Sequence, residues 1–178
     1  MDCKLAWKGV GKMSEIICQT TELCKNYKNF HVLQNVNFSI NRGEIYGLVG
    51  ENGAGKSTLI RILTGLAFKS SGIITLFGKT DYLQHERTKI GCTIEMPALY
   101  KDMTAKQNLE IQRVQRGIPD QKCISKTLEL VGLNNTEKKK VNNFSLGMKQ
   151  RLALAVALLG EPEFLILDEP VNGLDPTG

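Results

Sequence analysis

The stretch Gly50-Glu51-Asn52-Gly53-Ala54-Gly55-Lys56-Ser57-Thr58 decides how the rest of this chain is interpreted. It fits the pattern G-x-x-x-x-G-K-[ST], in which glycines let the backbone curl tightly and turn its N–H groups inward. Before it, the apolar residues 45–49 predict a strand buried on both faces of a parallel sheet. After it, a helix is predicted over residues 56–66, with one apolar face made by Leu59, Ile62, Leu63 and Leu66. Strand, glycine loop and helix in this order predict a phosphate-binding loop.

Each part of this loop has a physical role. The helix begins at the loop, so the positive end of its dipole faces a bound anion. Lys56 is expected to place its charge on the β- and γ-phosphates of a nucleoside triphosphate, and Ser57 to offer its hydroxyl to Mg²⁺. The alternative, a glycine loop without a ligand, does not explain why both flanking segments fit the pattern.

A second apolar run, Phe164-Leu165-Ile166-Leu167, is followed by Asp168-Glu169. Alone, such a run indicates only the end of a buried strand. Roughly a hundred residues after a phosphate-binding loop, it predicts the element on the Mg²⁺ side of the site. Asp168 is then expected to hold the metal through a water, and Glu169 to polarise the attacking water as general base.

The segment Ser145-Leu146-Gly147-Met148-Lys149-Gln150-Arg151 precedes a helix rich in Leu and Ala that is predicted to end near Gly160. In the simplest interpretation, Ser145 is the N-cap of that helix. In the functional interpretation, the Ser145 hydroxyl, the Gly147 N–H and the helix N-terminus together form a second anion site.

The remaining pattern predicts an α/β plan with a β-rich start and a helical insertion. Strands are expected over residues 16–23, 33–40 and 73–77. Residues 104–140 are expected to be mostly helical, with breaks at Gly117-Ile118-Pro119 and at Gly132. Their apolar positions are Leu109, Ile111, Val114, Ile124, Leu128 and Val131.

Composition excludes several functions. The net charge of +5 is scattered along the chain, which argues against nucleic-acid binding and suits either an anionic ligand or a solvated surface. Five cysteines without a CxxC pair, and only two histidines, argue against zinc; we expect small buried thiols, reduced in a cytoplasm. The longest apolar stretch, residues 152–159, has eight residues against the roughly 20 that span a bilayer. Any membrane pore would belong to another chain.

Four segments occur in one order: the phosphate-binding loop, the S-x-G-x-x-Q segment from Ser145, Leu167-Asp168-Glu169-Pro170, and Asn172-Gly173-Leu174-Asp175-Pro176. This order resembles the nucleotide-binding domain of ABC transporters, and most closely that of bacterial exporters conferring bacitracin and lantibiotic resistance or immunity. The resemblance covers nearly all of residues 14–178 and implies a RecA-like P-loop NTPase core, an N-terminal antiparallel β subdomain and an inserted helical signature subdomain. Residues 1–13 are expected to be a disordered extension, with Met13 as a candidate start.

The resemblance also implies partners and site residues. Two such domains pair head to tail around two ATP molecules with Mg²⁺, and a separate membrane permease holds them at the inner face of the cell membrane. Ser145 and Gly147 would contact the γ-phosphate bound by the partner, and Asp175 would touch the partner chain nearby. Tyr27 matches the aromatic residue that stacks on adenine, with Phe30 as the alternative; either is otherwise a core residue.

This sequence departs from the family pattern at three places. Glu95 stands where the family usually has Gln near Mg²⁺, and the S-G-G-Q signature has become Ser145-Leu146-Gly147-Met148, which we interpret as a subfamily mark. The family also places a strand and a His after Asp175, whereas His31 and His85 both precede the signature. We therefore expect a shortened chain that binds nucleotide weakly and turns over little ATP.

Two other functions compete with transport. One is an ABC-type ATPase of translation or DNA repair, without a membrane partner. Such proteins usually carry tandem domains or a coiled-coil insertion, which the single short insertion at residues 100–144 does not match. The other is a truncated nucleotide-binding module that does not hydrolyse ATP.

Overall fold

The computed structural model describes residues 15–94, 98–136 and 138–168, which divide after Arg87 into two compact units. Strands and helices occur in both units, so the predicted α/β class is confirmed. The predicted extension at residues 1–13 lies outside the described residues, as do Glu95, Glu169 and Asp175.

The first unit is built on an antiparallel sheet with strand order β2-β1-β3. Its strands are β1 (Ile16–Tyr27), β2 (Phe30–Asn41) and β3 (Ser71–Leu76). The first two are longer than predicted, because irregularities in register let the β1–β2 ladder continue to the pair Tyr27 and Phe30. The antiparallel β subdomain expected from the sequence is therefore present.

Helix α1 (Lys56–Leu63) follows the glycine loop and buries the predicted face of Leu59, Ile62 and Leu63. The prediction that this face includes Leu66 is wrong, because Leu66 is exposed. The helix ends earlier since Gly65 adopts φ 84°, a left-handed conformation that glycine tolerates, and Leu66 N–H then bonds to the Arg61 carbonyl at 2.7 Å. The short helix α2 (Leu83–Arg87) closes this unit.

The predicted buried strand at residues 45–49 is not formed. Tyr46 makes a single bridge and its ring stacks on Phe38 of β2, with 5.6 Å between centroids, but Ile45 is 85% exposed and Val49 is also exposed. A buried parallel strand needs a ladder on both sides. The strands described here pair among themselves as β2-β1-β3 and β4-β5, so none of them supplies such a ladder.

The second unit joins a two-stranded parallel sheet to a group of helices. Strand β4 (Ile90–Thr93) pairs with β5 (Phe164–Leu167), and the helices are α3 (Ala105–Gln115), α4 (Lys122–Leu130) and α5 (Leu146–Leu158). Both predicted breaks are confirmed: Gly117 and Gly132 adopt φ 66° beyond the ends of α3 and α4. Two 3₁₀ turns, Asn134–Thr136 and Val141–Asn143, lead into α5.

The helices of this unit enclose their own apolar core. Leu109, Ile124, Leu128 and Val131 are buried as predicted, but Val114 is exposed because it lies on the opposite face of α3 from Leu109. β5 is also less buried than predicted, since only Ile166 is buried. The parts of the chain that the structure describes contain no helix long and apolar enough to cross a membrane.

Candidate functional site

The glycine loop has the backbone shape that its sequence predicts. Gly53 and Gly55 adopt φ 83° and 90°, which side chains rarely permit, and α1 begins directly after them at Lys56. Residues 50–53 are exposed and residues 54–58 are half-buried. The first-turn N–H groups of α1 have no acceptor within the helix, and no acidic residue lies in that turn. The loop can therefore receive an anion.

The Lys56 ammonium lies over this loop. Its Nζ donates to the carbonyl of Gly50 at 2.7 Å and to the carbonyl of Glu51 at 2.9 Å. The Ala54 N–H also donates to the Glu51 carbonyl, at 3.1 Å, and tightens the turn. A positive charge is thus held where backbone N–H groups and the α1 dipole already favour negative charge.

The loop rests on the start of β2. A Cβ on Gly55 would lie 2.8 Å from Leu33 Cδ2 and 2.9 Å from the Val32 carbonyl oxygen. Distances this short mean that the Gly55 backbone and the strand lie too close together to admit a side chain. Because Phe30 begins the same strand, the loop and the end of the β1–β2 hairpin are neighbours.

Two aromatic side chains mark that end of the hairpin. Tyr27 and Phe30 are directly paired across the β1–β2 ladder, so their side chains leave the same face of the sheet. Tyr27 is 50% exposed and Phe30 is 69% exposed, so the alternative that they are core residues is wrong. Lys25, two residues before Tyr27, places its Nζ 4.4 Å from the centroid of the Tyr27 ring.

Arg87 supports the far end of α1, a role that the sequence did not reveal. Its Nε donates to the Leu63 carbonyl at 3.1 Å and its Nη2 to the Ile62 carbonyl at 3.3 Å. A cation at a helix C-terminus satisfies orphan carbonyls and complements the dipole. Burial lowers the pKa of the Arg87 guanidinium. No local pattern signals this contact, because donor and acceptors are more than twenty residues apart.

The Ser145 segment begins α5 as predicted. Ser145 is the N-cap, and its Oγ accepts from the Met148 N–H at 3.2 Å. A side chain on Gly147 would meet nothing within 4 Å, and Leu146 is exposed. The Oε1 atom of Gln150 is buried without a hydrogen-bond partner among the described residues. The N-cap interpretation is confirmed, and the second anion site remains a prediction.

Asp168 stands at the carboxyl end of the parallel sheet. It follows β5 and is half-buried, and its N–H donates to the Thr93 carbonyl of β4 at 3.0 Å. Both strands therefore end at the same edge of the sheet. Ser57 belongs to the first unit and Asp168 to the second. In the residues that the structure covers, no group of three acidic, His or Cys side chains forms a ready metal site.

Asn108 of α3 is a buried polar residue that the sequence interpretation missed. Its Oδ1 accepts from the Tyr100 N–H at 2.8 Å, while its Nδ2 donates to the Tyr100 carbonyl at 3.0 Å and the Thr104 carbonyl at 2.9 Å. Thr104 and Gln107 form a capping box at the same helix start. The side-chain amide of Asn108 therefore holds the segment from Tyr100 to Thr104, which leads into α3.

The four cysteines that the structure describes only partly match the prediction of small buried thiols, and Cys3 lies outside the described residues. Cys18 and Cys123 are buried, whereas Cys24 and Cys92 are half-buried. Burial raises the pKa of the Cys18 thiol to about 12. Cys24 Sγ instead lies in a polar setting, 3.2 Å from Asn35 Oδ1, because the irregular β1–β2 register exposes it.

Comparison with known proteins identifies the family. The model of the ABC transporter family matches residues 33–172, which include the glycine loop, the Ser145 segment and Asp168. The chain belongs to the ABC transporter family. Its resemblance to that family, predicted from four segments, is confirmed.

Three curated relatives come from bacteria. The chain is 44% identical over 167 residues to the bacitracin transport ATP-binding protein BcrA of Enterococcus faecalis, covering 92% of this chain and 54% of that protein. It is 47% identical over 168 residues to the Bacillus licheniformis protein of the same name, covering 93% and 55%. It is 47% identical over 156 residues to the lantibiotic transport ATP-binding protein SrtF of Streptococcus pyogenes, covering 88% and 67%. The chain thus spans about half the length of the bacitracin relatives.

Solved structures agree with the fold. One described as the ATP binding subunit of an ABC transporter has a TM-score of 0.79 at 32% identity, covering 90% of this chain and 69% of that one. CbiO1 of Clostridium perfringens, described as part of the ABC transporter complex cbiONQ, also has a TM-score of 0.79, at 34% identity, with coverage of 92% and 69%. The predicted ABC-type ATP-binding fold is confirmed.

Proposed function

We propose that this chain is the ATP-binding part of an ABC transporter subunit, binding and hydrolysing ATP to drive a separate membrane permease. The observation that carries the proposal is the glycine loop: Gly53 and Gly55 in left-handed backbone, the start of α1, and the Lys56 ammonium held over the loop. This arrangement fits the phosphates of ATP, because the loop N–H groups, the α1 dipole and the Lys56 ammonium all attract negative charge to the same small exposed region.

The first unit provides the nucleotide contacts of the proposal. Lys56 would release its two loop carbonyls and bind the β- and γ-phosphates, and Ser57 would offer its hydroxyl to Mg²⁺. Tyr27 stacks on adenine, which its exposure permits. The remaining contacts come from the loop itself: Gly50, Glu51, Asn52, Gly53, Ala54, Gly55 and Thr58.

Hydrolysis is assigned to the end of β5. Asp168 would hold Mg²⁺ through a water, and Glu169 would act as general base toward the attacking water. Glu95 would be a further residue that holds the metal or its water. Mg²⁺, when bound, neutralises charge on the β- and γ-phosphates.

We also propose that the chain pairs with a second ATP-binding subunit. Ser145 and Gly147 would contact the γ-phosphate held by a partner subunit in a head-to-tail pair, and Asp175 would touch the partner nearby. The open space over Gly147 and the exposure of Leu146 support this role, because a surface that receives a partner must be uncovered. Two-fold pairing would complete both sites together.

The relatives support a proposal for the cargo and the location of this chain. Since the bacitracin and lantibiotic proteins are transport ATP-binding proteins, we infer that this chain serves export of a peptide antibiotic or another toxic compound. It would act in the cytoplasm, on the inner face of the cell membrane, through its permease.

Binding of MgATP to Lys56→Met tests the nucleotide proposal. Lys69→Met is a matched control, because Lys69 Nζ also donates to a backbone carbonyl, that of Gly72, but lies outside the loop. We expect the Lys56 variant to lose ATP affinity by at least tenfold, whereas the Lys69 variant should bind like the parent chain. Equal affinities of the two variants would contradict the proposal.

Gly147→Glu tests pairing separately. Because nothing lies within 4 Å of a Cβ there, and an acidic residue suits the first turn of a helix, α5 should remain folded. The added carboxylate would repel the partner's γ-phosphate. We expect sedimentation with MgATP to show monomers of Gly147→Glu and pairs of Gly147→Ala; pairing of both variants would contradict the assigned surface.

A further inference from the structure

We propose that Lys25 is a positioning residue for the nucleotide base: its ammonium covers one face of the Tyr27 ring, leaving the other face to stack on adenine. This inference rests on the proposed function, because it takes Tyr27 as the adenine contact. It adds a residue that the sequence motifs did not identify.

The Lys25 ammonium and the Tyr27 ring are in direct contact. Lys25 and Tyr27 are two residues apart on β1, so both side chains leave the same face of the strand. Lys25 Nζ is 4.4 Å from the ring centroid, within the roughly 6 Å range of a cation–π contact. Lys25 is half-buried, whereas Tyr27 is 50% exposed, so the ring retains accessible surface for a base.

The neighbouring strand restricts the ring further. Phe30 is paired with Tyr27 across the ladder and leaves the same face. Two and three residues further along β2, Val32 and Leu33 lie against Gly55 of the phosphate-binding loop. A nucleotide whose phosphates lie on the loop therefore has its base near this end of the hairpin, beside the ring that Lys25 covers.

Two physical effects make the ammonium useful. It limits the rotation of an exposed tyrosine ring before the nucleotide arrives, so less conformational freedom is lost on binding. It also draws electron density toward the covered face, which makes the open face a better partner for the electron-rich adenine ring. Both effects require the tyrosine ring and act on the base rather than on the phosphates.

The test compares ATP with inorganic tripolyphosphate, which has the phosphates but no base. Binding to the 178-residue chain is followed by NMR chemical shifts of the Tyr27 ring and of the amides of residues 53–58, which report affinities into the millimolar range. Lys25→Met should weaken ATP binding about two- to fivefold, the size expected of one exposed cation–π contact, and leave tripolyphosphate binding unchanged. Lys25→Arg should retain most of the ATP affinity, because guanidinium also stacks on aromatic faces.

Lys28→Met is the charge-matched control, because Lys28 lies in the exposed turn beside Tyr27. It should bind ATP like the parent chain. In a Tyr27→Leu background, Lys25→Met should have no further effect. The inference is overturned if Lys25→Met weakens tripolyphosphate as much as ATP, if Lys28→Met matches it, or if its effect persists without the ring.

Failure of this inference and failure of the proposed function give different results. If Lys25→Met binds ATP normally while Lys56→Met does not bind it, the positioning role is wrong and the proposed function stands. If ATP shifts none of the amides of residues 53–58 in the parent chain, the proposed function is itself contradicted.

Discussion

Leu33 of β2 leaves no room for a side chain on Gly55 of the phosphate-binding loop, because its Cδ2 would lie 2.8 Å from a Cβ at that position. Gly53, two residues earlier, has a similar left-handed backbone, but a Cβ there would meet nothing within 4 Å. Gly53 is therefore required only by its backbone conformation, whereas Gly55 is required by its backbone conformation and by its packing against β2.

Gly55→Ala should destabilise the chain more than Gly53→Ala. Both variants place alanine at positive φ, which costs about 1–3 kcal/mol, but only the former also crowds β2, for about 1–3 kcal/mol more. Urea unfolding of the two variants measures the difference. Equal free energies of unfolding would mean that the loop moves away from Leu33 without penalty.

Arg87→Met should loosen the C-terminal end of α1. The change removes donors to the Ile62 and Leu63 carbonyls and a charge that favours the helix end, so we expect a loss of about 1 kcal/mol. Hydrogen exchange of the α1 amides measures the effect locally. Arg87→Lys keeps the charge but not the pair of guanidinium donors, so its α1 amides should have protection between that of the parent chain and that of Arg87→Met. If the α1 amides of Arg87→Met are as protected as those of the parent chain, the capping role is contradicted.

Sequence reasoning succeeded where the signal is local. The glycine loop and the Ser145 cap depend on residues within a few positions of each other, so spacing alone predicts the tight turn that ends at Gly55 and the hydroxyl of Ser145 at the start of α5. The breaks at Gly117 and Gly132 are local in the same sense.

It failed where long-range contacts decide. Residues 45–49 have the composition of a buried strand, but burial depends on ladder partners that composition does not reveal. Lys25 could have been suspected, since it shares a strand face with Tyr27 at a spacing of two. Arg87 could not, because only the fold brings it to the end of α1.

Asn108→Ala should destabilise the second unit by about 1–3 kcal/mol, because it leaves the Tyr100 N–H without its acceptor and removes one of the two donors to each of the Tyr100 and Thr104 carbonyls. Asn108→Asp has the same shape but replaces a donor by an acceptor facing two carbonyls. It should be at least as destabilising as the alanine variant. Thermal unfolding compares them, and a neutral aspartate variant would show that the amide does not hold this segment.

The Cys18 thiol makes the free energy of unfolding depend on pH. Burial raises the pKa of its thiol from 9.0 to about 12, so the folded chain keeps the proton where the unfolded chain loses it. The contribution of the neutral Cys18 thiol to the free energy of unfolding is therefore complete below pH 9.0. It is lost as the pH rises toward about 12. The expected loss is about 1 kcal/mol per pH unit within that window.

Cys18→Ala isolates this term, because alanine does not ionise and its small cavity penalty is the same at every pH. The free energies of unfolding of the two chains should run parallel below pH 9, and above it the value of the parent chain should fall relative to that of Cys18→Ala. Other titrating groups are common to both chains and cancel in the difference. A constant difference across the whole range would mean that the thiolate of Cys18 is tolerated inside the sheet, and that this strand is more open to solvent than its burial indicates.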